Sequence, residues 1–241
     1  MDHALELGTA MARFAELAGL GTGEEPVPAC EGWTTRDLAE HLGTVHRWAG
    51  SILLSGQRLA SPKPVVTEPV SEWYSATASA LLGAIQAVSP DEAVPNFTRM
   101  GETAAFWPRR QMHETIVHGV DAAQALGFDE DEWTVAPQIA ADGIDEVLQV
   151  FFPRMTARGV RPDVRSRIRL VATDLEQSWL VGPGEGESGT PLQLHASREA
   201  DATVTGLASD LYLALWHRVS RFRLEFDGPD GIALLDGPTT P

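Results

Sequence analysis

The chain has 241 residues, 43% of them hydrophobic and 22% charged, the mix of a globular protein that can bury a core without disulfides or a stapling metal. Its 34 acidic residues against 18 Lys and Arg leave a formal charge of −16, a field that repels nucleic acid and anionic lipid. The one cysteine, Cys30, excludes an internal disulfide framework and any CxxC metal knuckle.

The opening residues, MDHALELGTAMARF, lack a basic stretch followed by an unbroken apolar run. No segment reaches the roughly 18 apolar residues of a membrane span. A cytoplasmic protein without a membrane partner is the expectation. Leu5, Met11, Phe14 and Leu17, with Leu20 just beyond, stand at near-helical spacing and predict a first helix over residues 3–19. After the breaker GTGEEPVPACEGW, Thr34 and Asp37 form a capping-box pair that opens a second helix running to Ser55-Gly56. The Pro-rich segment SPKPVVTEP separates it from a third helix over 71–88. A fourth starts near Pro108, a favoured first-turn residue, and stops at Leu126-Gly127, where Gly suits a left-handed cap. A fifth covers about 136–152 and ends before Pro153.

Past the Arg-rich connection RMTARGVRPDVRSR the texture changes to short strand-like runs: IRLVAT (168–173), SWLVG (178–182), LQLHA (192–196) and DATVTG (201–206). The segment GPGEGESGTP reads as a turn or flexible excursion. Ala208–Arg218 reads as a helix and Arg221–Phe226 as a last strand. The pattern predicts a fold of α plus α+β type: a helical domain over 1–152 and a small α+β domain over 165–241, with the boundary between Phe152 and Arg167.

Helical geometry sorts the seven histidines. At about 100° per residue, His41 shares a face with Val45, Trp48 and Ile52, which places it in an apolar stripe, whereas His46 is rotated about 140° away onto the flank. On the fourth helix, Met112, Ile116, Val120 and Ala123 form the apolar face. Glu114 and His118 stand one turn apart and Asp121 continues their stripe. Such a stripe is either a solvated polar face or half of a metal site. His113 and His118 diverge too far to share a metal, and HETIVH is one residue too long for the H-E-x-x-H of a zinc protease. His41 together with Glu114 and His118 makes two imidazoles and one carboxylate, a set that leaves coordination positions open as catalytic zinc sites do. Cys30 reads as a packing residue. Trp33, Trp48 and Trp107 read as core or pocket lining. Arg109 and Arg110 open a helix where positive charge opposes the dipole, which predicts acidic partners or a ligand. Asp142, Asp145 and Glu146 read as partners of a site or as solvated acids. His195 and His217 have no partner at ligand spacing.

Four segments in order, EGWTTRDLAEHLGTVHRWA, RRQMHETIVHGVDAAQALG, IAADGIDEVL and DATVTGLASDLYLALWHR, resemble the mycothiol-dependent maleylpyruvate isomerase family. The resemblance implies a DinB-like four-helix bundle with an additional helix, then a small α/β domain similar to sterol-carrier proteins. It implies zinc held by His41, Glu114 and His118, with mycothiol as the thiol cofactor. It also implies an arginine of the C-terminal domain in activity, matched by Arg218, with Arg221 near enough to compete for the assignment. The expected partners are a small-molecule thiol and an electrophilic substrate, with no nucleic acid and no membrane, in a monomer or homodimer. The reaction expected is thiolate addition to an electrophile, as an isomerase or a thiol S-transferase. The alternatives are a metal-binding or small-molecule-binding regulatory protein of the same fold, or a lipid carrier resting on the C-terminal resemblance alone.

Overall fold

A computed structural model describes residues 1–61, 65–98, 101–160, 162, 164–183, 192–194 and 198–241. The chain divides into two compact units, Met1–Trp133 and Thr134–Pro241.

The first unit is built on α1 (His3–Leu20), α2 (Thr35–Ser55), α3 (Val70–Ala87) and α4 (Phe106–Ala125). Each of α1 and α2 packs against both α3 and α4, which gives a four-helix ring in the order α1–α3–α2–α4. Asp2 caps α1 by accepting from the amides of Ala4 and Leu5. Leu7, Met11, Phe14 and Leu17 make its buried stripe, while Leu5 and Leu20 are 66% exposed. The capping box of α2 forms as expected, with Thr34 and Asp37 each bonding the other's backbone amide, and Gly56 closes the helix at φ 63°. Helix α2 meets α3 closely. A Cβ built on Gly43 would sit 2.3 Å from the Trp73 ring and 2.9 Å from the Thr77 hydroxyl, so only glycine permits this approach. At the end of α4, Gly127 has φ 76°, and the amides of Phe128 and Gly127 bond back to the carbonyls of Ala123 and Gln124, a Schellman closure.

The second unit begins with α5 (Pro137–Glu146), which continues through a wide π turn at Val147–Phe151 into α6 (Phe152–Ala157). Pro153 therefore does not end the helix. It falls in the first turn of α6, where its missing amide proton is not needed, and the π turn takes up the extra residue. Among the described residues five strands follow: β1 (Ile168–Ala172), β2 (Gln177–Gly182), β3 (Leu192–Leu194), β4 (Ala202–Gly206) and β5 (Glu225–Asp227). Their order is β3-β2-β1-β4-β5, with β1 and β4 parallel and the other pairs antiparallel. The crossover from β1 to β4 and the helices α7 (Ala208–Leu215) and α8 (Asp230–Asp236) complete an α+β unit. The Arg221–Arg223 segment is a single 3₁₀ turn, and the last strand begins only at Glu225, because Ser220 caps that turn through the Phe222 amide.

The division falls at Trp133–Thr134, earlier than the Phe152–Arg167 boundary expected from the strand-like texture. The additional helix belongs with the sheet. Gly143 on α5 lets the Tyr212 ring of α7 lie so close that a Cβ would stand 2.3 Å from it, and Asp145 accepts from the Trp179 indole of β2 at 2.9 Å. Periodicity reports a helix's apolar face and not the element that will cover it. Most of GPGEGESGTP, and His195, lie outside the described residues. Among the described residues no helix is long and apolar enough to cross a membrane.

Candidate metal centre

Helices α2 and α4 run antiparallel, with His41 opposite Glu114 and Trp48 opposite Trp107. Glu114 Oε1 lies 3.3 Å from His41 Nε2 and 3.5 Å from His118 Nε2. The ligand atoms of all three residues fall within 4.8 Å of one another. Atoms bonded to one tetrahedral zinc at about 2.0–2.1 Å stand about 3.3 Å apart, so the two Glu114–histidine spacings match what the ion needs.

The surroundings fix each donor. His118 Nδ1–H donates to Asp121 Oδ2 at 2.9 Å, because a carboxylate oxygen can only accept, so Nε2, which carries a proton towards Glu114 in the metal-free protein, is the nitrogen left to take a metal. Arg110, one turn before Glu114 and with a side chain only 3% exposed, donates through Nη2 to Glu114 Oε2 at 3.0 Å. The Trp33 ring packs against His41 with centroids 5.0 Å apart. Burial pushes the Glu114 carboxyl upward, but hydrogen bonds from His118 and His41 and the Arg110 charge outweigh it and hold Glu114 well below the usual carboxylate range. Burial likewise opposes protonation of His118. Its hydrogen bonds to Asp121 and Glu114 prevail and raise it to about 9. Without metal, His118 thus keeps a proton at neutral pH that a metal must displace.

The two histidines of α2 exchange the places expected for them. His46 is fully buried at the centre of the packed face, while His41 sits on the flank with its side chain 34% exposed. His46 tolerates burial because both ring nitrogens have partners: Nδ1–H donates to Gln111 Oε1 at 2.8 Å, and Nε2 accepts from the Tyr74 hydroxyl at 3.4 Å. Desolvation lowers its pKa to about 4, so it is neutral. The Glu114–His118–Asp121 stripe is not a solvated face either. Asp121 has no exposed surface, and α4 is buried on almost every side.

Residues 4–123 match the model of the mycothiol maleylpyruvate isomerase N-terminal domain, and residues 138–234 match that of the MDMPI C-terminal domain. The chain belongs to the mycothiol-dependent maleylpyruvate isomerase family. Two crystal structures of a mycothiol-dependent maleylpyruvate isomerase, one of them a histidine-to-alanine mutant, share its fold with TM-scores of 0.64 and 0.63. Each is 13% identical over 95% of this chain and 94% of its own. No curated protein matches the sequence. The two family models meet the chain on either side of Trp133–Thr134, the same division that the packing gives.

The helical unit brings His41, Glu114 and His118 to within 4.8 Å of one another. Arg218 lies in the other unit, past the end of α7 rather than on it. The helix stops at Leu215 and closes with a second Schellman pair, the Arg218 amide bonding Leu213 and the His217 amide bonding Ala214. His217 occupies the left-handed cap position at φ 58°, where Gly is the usual residue. The Arg218 guanidinium donates to the Trp216 carbonyl at 2.7 Å. Arg221 is ion-paired with Asp236. Sequence reading missed the individual roles of Arg110 and Asp121. The signal for Arg110 was present, a cation at the wrong end of a helix dipole. Cys30, read as packing, has its thiol 3.9 Å from Asp121 Oδ2.

Proposed function

We propose that the protein is a zinc-dependent enzyme that uses a low-molecular-weight thiol, mycothiol, in thiolate addition to an electrophile, as an isomerase or a thiol S-transferase. The observation that carries the reading is one carboxylate oxygen, Glu114 Oε1, facing two imidazole Nε2 atoms at 3.3 and 3.5 Å. A zinc ion held by His41, Glu114 and His118 supplies an open position at which a thiol is stabilised as its thiolate. The chain's own residues prepare that position. Asp121 keeps the His118 proton on Nδ1, so the other nitrogen points at the metal. Arg110 offsets the charge of Glu114 inside the bundle. Trp33 packs against the His41 ring and steadies it. Arg218 is proposed to hold a carboxylate of the substrate through paired hydrogen bonds.

Metal analysis and calorimetry test the reading. The protein should hold about one zinc per chain, and His41→Ala should lose it while staying folded. Mycothiol binding to the zinc form should release a proton below the free thiol's pKa, detected by comparing buffers of different ionisation enthalpy. Equal proton release from the metal-free protein would sink the mechanism.

A further inference from the structure

The two oxygens of Glu114 have different neighbours. Oε1 faces His41 and His118, and Oε2 accepts from Arg110 Nη2 at 3.0 Å. The geometry points to Arg110 as a positioning residue: by holding Oε2, it makes Glu114 a one-oxygen ligand and keeps the neighbouring coordination position free for the thiol. The inference rests on the proposed metal reading and concerns a residue that touches neither the metal nor the substrate.

Three observations support it. Arg110 is buried, with 3% of its side chain exposed, and a buried guanidinium persists only where its charge is matched and its donors are used. It is the fifth residue of α4, past the first turn, so the helix dipole does not account for a buried charge there and its partner must. It stands one turn before Glu114, and from that position its planar fork reaches the oxygen turned away from the imidazoles. Released from Arg110, the carboxylate can rotate and present both oxygens to one ion. The second oxygen would then fill the position the thiol needs, and zinc readily accepts a fifth ligand.

Cobalt(II) in place of zinc reads coordination number directly, since four-coordinate cobalt absorbs visible light far more strongly than five- or six-coordinate cobalt. The wild-type protein should bind one cobalt per chain with intense absorption. Arg110→Met, which keeps length and removes the donors, should bind cobalt with the intensity reduced several-fold. Its affinity for 2-mercaptoethanol, followed by the thiolate-to-cobalt band, should fall roughly 10-fold or more, in the range known for residues that orient a metal ligand. An unchanged cobalt spectrum in folded Arg110→Met overturns the inference and leaves the metal reading intact. Failure of the wild type to bind cobalt at this site removes the metal reading itself. If Arg110→Met does not fold, a crystal structure of the zinc-loaded wild type decides: Oε2 on Arg110 and away from zinc supports the role, and both oxygens on zinc overturn it.

Discussion

His41 and Trp48 leave α2 along one edge, two turns apart, and Glu114 and Trp107 leave α4 in the same way. At one end of this seam the neighbours are imidazoles, carboxylates and a guanidinium. At the other they are aromatic rings: Trp48 meets Trp107 edge-on at 5.3 Å, and Phe106 packs on both Trp107 and Phe97. The aromatic end is held by apolar burial and ring contacts, which offset the cost of a buried Trp107 indole N–H that has no hydrogen-bond partner. The polar end holds its donors together only by mutual hydrogen bonds and ion pairs, and those same atoms are the ones a metal would take. One helix pair thus separates the work of holding two helices together from the work of presenting ligands.

Substitutions at the two ends should separate affinity from stability. Glu114→Gln should lower zinc affinity about a thousandfold, taking one of three ligands as roughly a third of a binding free energy of 10 kcal/mol or somewhat more. Competition with a chromophoric chelator measures it. Trp107→Ala should do the reverse. Trp107 has no exposed surface, and its loss should cost about 4 kcal/mol in urea unfolding while zinc affinity of the folded protein changes less than about threefold. A large affinity loss in Trp107→Ala would show that the two ends are coupled.

His46 lies between the ends and supplies a pH dependence between about pH 4 and 6.5. Its folded pKa is depressed from 6.5 to about 4. Between those values the unfolded chain binds the proton and the folded chain does not, so stability rises with pH across this window. The contribution is fully present above about pH 6.5 and lost as pH falls towards 4, about 3 kcal/mol in all. His46→Gln should flatten that stretch of the stability curve. A curve equally steep in the variant would assign the acid sensitivity to other groups.

The site was legible in the sequence because Glu114 and His118 are one turn apart on a helix with clear ends, and because Thr34 and Asp37 mark where the helix carrying His41 begins. The phase of that helix was not. His46 is buried because Tyr74 and Gln111 complete its hydrogen bonds, and those partners lie on other helices, where a periodicity confined to α2 cannot register them. The polar stripe of α4 stays open between a solvated face and half of a metal site for the same reason: Arg110, Glu114, His118 and Asp121 satisfy one another with help from α2. The additional helix was assigned to the wrong neighbour because the residues that claim it, Tyr212 and Trp179, come far later in the chain. Local signals of capping and turn closure survive in sequence, and pairings between distant elements do not.

Gly43 stands two residues after His41 and so points roughly 200° away from it, towards α3. Contact with Trp73 and Thr77 there leaves the helix no room to roll. An imidazole held about 6 Å from the helix axis moves about 1 Å for every 10° of such a roll, a displacement large enough to spoil a coordination sphere. The bare backbone on the rear of α2 therefore acts as the stop of a lever whose long arm is His41. The precision with which a metal could be gripped is machined on the side of the helix that never meets it.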